Sequence, residues 1–100
     1  MLRLLPRITR QIIREYQPEQ IILFGSLAEG KKANDIDLFL IKDTKMKRHI
    51  DRARKVRKFL ADEWPVDLII YTPQELKKAL KIGSFFVEDI LKEGRVLYEV

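Results

Sequence analysis

The chain has no cysteine, so no disulfide framework and no thiolate metal site is available, and zinc held through Cys is excluded. A reducing, cytoplasmic setting is compatible with that composition. It has one histidine, His49, with no second imidazole to share a metal, and a surface position is expected for it. No apolar run reaches the length of a membrane span. The N-terminal stretch MLRLLPRITRQIIREYQ carries no acid before Glu15, yet Arg3, Pro6, Arg7 and Arg10 interrupt it too often for a secretory leader. No internal repeat and no low-complexity linker is visible. What is present is 46% hydrophobic and 35% charged residues in a chain of 100, the balance of a folded globule with enough apolar content for one core. A single domain over residues 1–100 is expected. The net charge of +5 points to polyanionic partners such as nucleotides, nucleic acid or an acidic protein surface.

Leu5, Ile8, Ile12 and Tyr16 recur at helical spacing with arginines on the other faces, which predicts an amphipathic helix entered at Pro6 and closed by Pro18. Gln20 to Phe24 is suited to a buried strand, and Asp35 to Ile41 to a second one. Asp43 or Thr44 is the expected cap of a long helix to about Glu63, with Met46, Ile50, Ala53, Val56 and Leu60 as its apolar stripe. Pro65 ends it. Val66 to Tyr71 follows as a third strand carrying an acid, Asp67, that looks buried. Thr72-Pro73-Gln74-Glu75 is a capping box before a helix to about Ile82. Ser84 to Glu93 is a further helix, with Phe85, Val87, Ile90 and Leu91 expected on the sheet and Gly94 as its C-terminal cap. Val96 to Val100 is an edge strand. The order α-β-β-α-β-α-α-β implies an α+β fold: a small mixed sheet with helices packed mainly on one face, leaving the other for a cleft.

The chain is organised around Ile21 to Ile41, IILFGSLAEGKKANDIDLFLI. Asp35 and Asp37 stand two residues apart in strand-like sequence, so both side chains should leave one face while Ile36 and Leu38 enter the core. Two carboxylates on one face repel each other, and a divalent cation between them removes the conflict. Hard oxygen ligands suit Mg2+ or Mn2+. Asp67 on a neighbouring strand can complete a three-carboxylate set, as a metal ligand or as a base. Gly25 lets backbone approach a phosphate, and Ser26 adds a hydroxyl and an N–H beside a short helical segment.

These residues resemble the DNA polymerase beta-like nucleotidyltransferase superfamily, and within it the minimal nucleotidyltransferases that serve as antitoxins of HEPN proteins. Gly25-Ser26, Gly30 and Asn34-Asp35-Ile36-Asp37-Leu38 match that family's ordered pattern. The likeness continues through Val66-Asp67-Leu68 to Glu93-Gly94-Arg95-Val96-Leu97-Tyr98, nearly the whole chain. The resemblance implies a polymerase beta-like fold and Mg2+-dependent transfer of a nucleoside monophosphate, AMP from ATP, to an acceptor hydroxyl with release of pyrophosphate. In it Asp35, Asp37 and Asp67 hold two Mg2+ ions, Asp67 also helps to activate the acceptor, and Gly25 with Ser26 binds the departing phosphates. Antitoxins of this kind resemble enzymes that adenylylate a tyrosine of a HEPN-type RNase toxin. The chain departs from the pattern at Glu29, where a basic residue is usual, and in a shorter loop from Gly30 to Asn34. The alternative is a non-catalytic module of the same fold that neutralises its partner by contact.

Lys45 to Lys58 is densely basic, but no aromatic residues interleave its charges, so it reads as a solvated face and nucleic acid is not the expected partner. Trp64, Tyr71, Phe85 and Phe86 read as core or partner surface. No membrane association is expected, and a homo- or hetero-oligomer is compatible with the sequence.

Overall fold

Five residues, Gln20–Phe24, form strand β1, and the chain returns antiparallel as β2 (Ile36–Ile41), with Gln20 opposite Ile41 and Phe24 opposite Asp37. These elements come from a computed structural model that describes residues 2–100. From β2 the chain crosses through helix α2 (His49–Arg57) and re-enters beside β2 as the parallel strand β3 (Val66–Tyr71). Helices α3 (Pro73–Lys81) and α4 (Phe85–Glu93) lead to β4 (Arg95–Glu99), which pairs antiparallel with the far side of β1. Helix α1 (Leu5–Tyr16) precedes them all. The four-stranded sheet runs β3-β2-β1-β4 and is mixed, as expected.

The period of two in each strand sorts the core. Ile36, Leu38 and Leu40 join Ile21, Leu23 and Ile70 on one face, against Ile8, Ile12 and Tyr16 of α1, Val56 of α2 and Leu60 just beyond it. Ile22, Phe39 and Ile41 point the other way, to Ile90 of α4, with Leu76 of α3 and half-buried Ile69 and Tyr71 around them. The larger cluster thus lies on one face. The second face is not free along its length: α3 and α4 roof it, and it opens only toward the end where Asp37 and Asp67 sit.

Three expectations need correction. Helix α2 begins at His49, not near Asp43: the Thr44 hydroxyl accepts from the Met46 N–H at 3.2 Å, and residues 42–48 form no regular element. The buried residues of that helix are Arg52 and Val56, with Leu60 buried just beyond its end and Ile50 48% exposed. Phe85 does not pack on the sheet but stands 86% exposed, and Leu91 is 40% exposed; only Val87 and Ile90 go under α4. Gly94 ends α4 with an ordinary extended backbone. Its lack of a side chain matters for closeness, since a Cβ there would collide with the Ile90 carbonyl and Ile22 Cγ2 and lie 3.0 Å from the Leu23 carbonyl.

Arg52 is the reason α2 starts late. Its side chain is 3% exposed. It donates from Nε to the Met46 carbonyl (2.7 Å), from Nη1 to the Ile70 carbonyl (2.9 Å), and in a fork to both Glu75 oxygens (2.6 and 3.3 Å). Glu75 in turn accepts from the Thr72 N–H (2.8 Å), while the Thr72 hydroxyl accepts from the Glu75 N–H (3.1 Å). One guanidinium therefore joins the approach to α2, strand β3 and the capping box of α3. Burial alone would raise the Glu75 carboxyl, but the Arg52 hydrogen bonds, the Thr72 N–H and the Arg52 charge outweigh it and hold the group below its ordinary value of 4.5.

A depressed carboxyl stabilises the fold above its unfolded value and loses that contribution as pH falls through the folded one. Wild-type stability in urea should therefore decline below the ordinary glutamate range, and Glu75→Gln should flatten that arm. Arg52→Ala should cost roughly 3 kcal/mol at neutral pH, the lower end for breaking a buried pair because Glu75 keeps one side in water. Equal acid sensitivity of wild type and Glu75→Gln would refute this role.

Candidate active site

At the end of β1 the backbone of Gly25 takes a φ of +77°, in the left-handed region, and a Cβ there would overlap Asp37 Oδ2 and lie 3.3 Å from its Cγ. The left-handed backbone favours glycine here, and a side chain would also have to push the Asp37 carboxylate aside. Residues 25–31 continue as hydrogen-bonded turns: Ala28 and Glu29 donate to the Gly25 carbonyl, Gly30 to Leu27 and Lys31 to Ser26, at 3.0–3.3 Å. Ala28 is buried and anchors the loop, while Ser26 and Glu29 are exposed. The one or two helical turns expected after Gly25 are thus a string of turns rather than a regular helix.

The register of the sheet then brings the acids together. The Ile36 N–H donates to the Pro65 carbonyl at 2.7 Å, and from there the parallel pairing runs Ile36 opposite Val66 and Asp37 opposite Asp67. Asp37, half-buried, and Asp67, exposed, leave neighbouring strands on the same face, directly opposite each other in the register. Asp67 was expected to be buried; it is open to water because β3 is an edge strand and the roof of α3 and α4 stops short of this end. Asp35 lies one residue before β2, exposed, and acts on Asp37 through its charge. Desolvation first, then the adjacent Asp67 carboxylate and the Asp35 charge, push the Asp37 carboxyl above its ordinary value of 3.8. Among the described residues no three His, Cys, Asp or Glu side chains are grouped closely enough to hold a metal ion together. An open pair of carboxylates with a third nearby instead fits a hard divalent cation that keeps ligand positions for water and phosphate.

Two concavities of opposite charge flank the Gly25–Gly30 loop. A pocket of about 220 Å3 is walled by Phe24, Gly25, Phe86 and Ile90 and lined by Glu29, Asp89 and Glu93. A wider one of about 660 Å3 is lined by Gly30, Lys31, Lys32 and Asn34 with Leu27 and Arg3. Phe86 was read from the sequence only as core or partner surface, and Asp89 and Glu93 were not singled out. Their spacing of three and four residues puts them on one helix face, the signal that could have found them. His49 lies away from this end, exposed, with Nδ1 3.1 Å from the Ile70 carbonyl and its ring 5.3 Å from that of Tyr71.

A family model described as "Polymerase beta, Nucleotidyltransferase" matches residues 7–100. Curated protein sequences yielded no significant match. Among solved structures, a candidate nucleotidyltransferase from Sulfolobus solfataricus superposes with a TM-score of 0.67 at 22% identity, covering 99% of this chain and 80% of that one. A toxin–antitoxin MntA–HpeT variant with two Asp-to-Glu replacements gives 0.60 at 17% identity, covering 95% and 72%. A toxin–antitoxin structure with AMP-PNP gives 0.60 at 21%, covering 94% and 73%. At these identities the likeness is one of fold.

A carboxyl raised by folding contributes stability that is present below its unfolded value and lost as pH rises through the folded one. Ionised Asp37 therefore costs stability at neutral pH. Asp37→Asn should melt several degrees higher than wild type near pH 7, and the difference should vanish at the acid end. Millimolar Mg2+ or Mn2+ should raise the melting temperature of wild type and leave Asp37→Asn unmoved. A variant that melts lower at neutral pH, or responds equally to metal, would contradict the repulsion inferred here.

Proposed function

Because the chain belongs to the polymerase beta nucleotidyltransferase family, we propose that it moves AMP from ATP to a hydroxyl of a partner protein, as the antitoxin of a HEPN-type toxin. The observation that carries the reading is the parallel register setting Asp37 beside Asp67, with Gly25 pressed against Asp37. The toxin–antitoxin neighbours, one of them with AMP-PNP, support a toxin partner and an adenine nucleotide.

In this reading Asp35, Asp37 and Asp67 would hold Mg2+, which when bound supplies charge neutralisation for a transferring phosphoryl group. Gly25 and Ser26 face the β- and γ-phosphates, where a side chain at 25 would close the approach. Asp67, the exposed member of the Asp37–Asp67 pair, takes the proton of the acceptor hydroxyl. The acceptor oxygen bonds to the α-phosphorus, the bond from that phosphorus to the bridging oxygen breaks, and pyrophosphate leaves. The protein contribution is positioning and preorganised charge rather than covalent chemistry.

A second reading, a non-catalytic antitoxin that neutralises by contact, is favoured by one observation: Glu29 lines the pocket beside Gly25, where a carboxylate opposes a triphosphate.

The two separate in one experiment. Purified protein is mixed with α-labelled ATP, Mg2+ and the product of the adjacent gene. Label transfer should fall by about a hundredfold or more in Asp35→Ala and Asp37→Ala, the scale of losing one transition-state charge stabiliser. Full neutralisation by both variants with no label transferred would sink the enzyme in favour of the steric module.

A further inference from the structure

The corner between α3 and α4 exposes more apolar surface than folding explains. Phe85 is 86% exposed, Ile82 73% and Phe86 46%, in a region fixed by the Ser84 cap, whose hydroxyl accepts from the Val87 N–H. The surface does not stop at the corner. Phe86 meets Phe24 edge to face with centroids 6.0 Å apart, and Phe24 is the cross-strand neighbour of Asp37. An apolar path thus leads from the corner to the carboxylates. Its rim is acidic: Glu29, Asp89 and Glu93 line the pocket that Phe24 and Phe86 wall, with no basic residue in the lining. Among the described residues none of the three is in an ion pair within 4.0 Å, although the chain carries a net charge of +5. The acidic lining disfavours a polyphosphate inside this pocket, which leaves the phosphates to the Gly25–Ser26 turn and the basic flank beyond it, lined by Arg3, Lys31 and Lys32.

We propose that this face is the docking surface for the acceptor protein, which binds through a segment carrying Lys or Arg beside an apolar residue and the hydroxyl to be modified. The inference rests on the transferase reading and adds the acceptor's chemistry to it. Phe85 and Phe86 receive the apolar anchor, Glu29, Asp89 and Glu93 pair with the cations, and the hydroxyl is delivered past Phe24 to Asp37 and Asp67. Aromatic anchors ringed by charge are the usual anatomy of a specific contact, and an exposed apolar patch beside a reactive site marks an interaction surface.

The probe is a pair of short fluorescent peptides centred on Leu-Tyr, one flanked by Arg and Lys and the other by Glu, followed by anisotropy with the full chain. The basic peptide should bind at least about tenfold tighter, with an affinity that falls as salt rises. Phe85→Ser should weaken it about fivefold or more, and the charge reversal Asp89→Lys with Glu93→Lys should invert the preference; all three positions are exposed, and unchanged melting temperatures show that the fold survives. Equal binding of the two peptides, no binding, or indifference to the reversal overturns the proposal. The same mixtures with labelled ATP and Mg2+ separate the two readings. Selective binding without label transfer leaves the docking surface standing while the transferase reading falls. Label on both peptides alike, unaffected by the reversal, does the opposite. A wild-type dimer that Phe85→Ser dissociates would give the face to a second copy and overturn the proposal as well.

Discussion

The parallel pairing of β2 with β3 is the constraint on which the rest depends. Side chains alternate across a strand, so a slip of one residue would turn Asp67 to the opposite face from Asp37 and put a carboxylate where Ile70 and Val66 now meet α1 and α2. The register is held at one end by the Ile36–Pro65 hydrogen bond. At the other it is held by Arg52, which bonds the Ile70 carbonyl and Glu75 and so locks the crossover helix to the strand and to the next helix. A parallel pair has no tight turn to set its register, so the crossover must do it.

Charge is distributed against local stability at one end of the sheet and in favour of it at the other. Asp37 sits half-desolvated between Asp67 and Asp35, and folding raises its proton affinity. Arg52 and Glu75 are drawn together, and folding lowers that of Glu75. Unfavourable carboxylate pairs persist where the surrounding packing over-determines them, which is characteristic of sites built to receive a cation. The buried rows Ile36, Leu38, Leu40 and Ile22, Phe39, Ile41 on the two faces of the sheet supply that packing. Beyond the carboxylates the surface divides around the Gly25–Gly30 loop, acidic and aromatic on the α4 side, basic on the Lys31–Lys32 side. A loop between an anionic and a cationic reactant profits from such a division, and the proposed acceptor surface follows from it.

Strands, caps and the central motif were legible in the sequence because their signals are local. Gln20 to Phe24 and Val66 to Tyr71 were bounded by Pro18, Gly25, Pro65 and Thr72, and the structure has these two strands over the same residues. The Thr72–Glu75 box formed because both partners lie within one turn. Asp35 and Asp37 were recognisable from spacing, Gly25 from its place in the pattern. The errors fell where a long-range partner overrode the local signal. Arg52 was counted among solvated charges, but with three acceptors waiting in the fold it is buried and shortens α2. Phe85 was assigned to the core by hydrophobicity, and the helix presents Val87 and Ile90 to the sheet instead.

By itself the sequence determined the α+β class, the bounds of β1 and β3, the capping box of α3 and the spacing of the acids Asp35 and Asp37, because periodicity, turn chemistry and motif order act between residues close in the chain. Only the tertiary structure decided that Asp67 faces Asp37, that the Asp37 carboxylate lies against Gly25, and that Phe24, Glu29, Phe86, Asp89 and Glu93 line one pocket. Those relations depend on strand register and on the seating of α4 over β1. Both are settled by packing between residues tens of positions apart, and one-dimensional spacing carries no record of it.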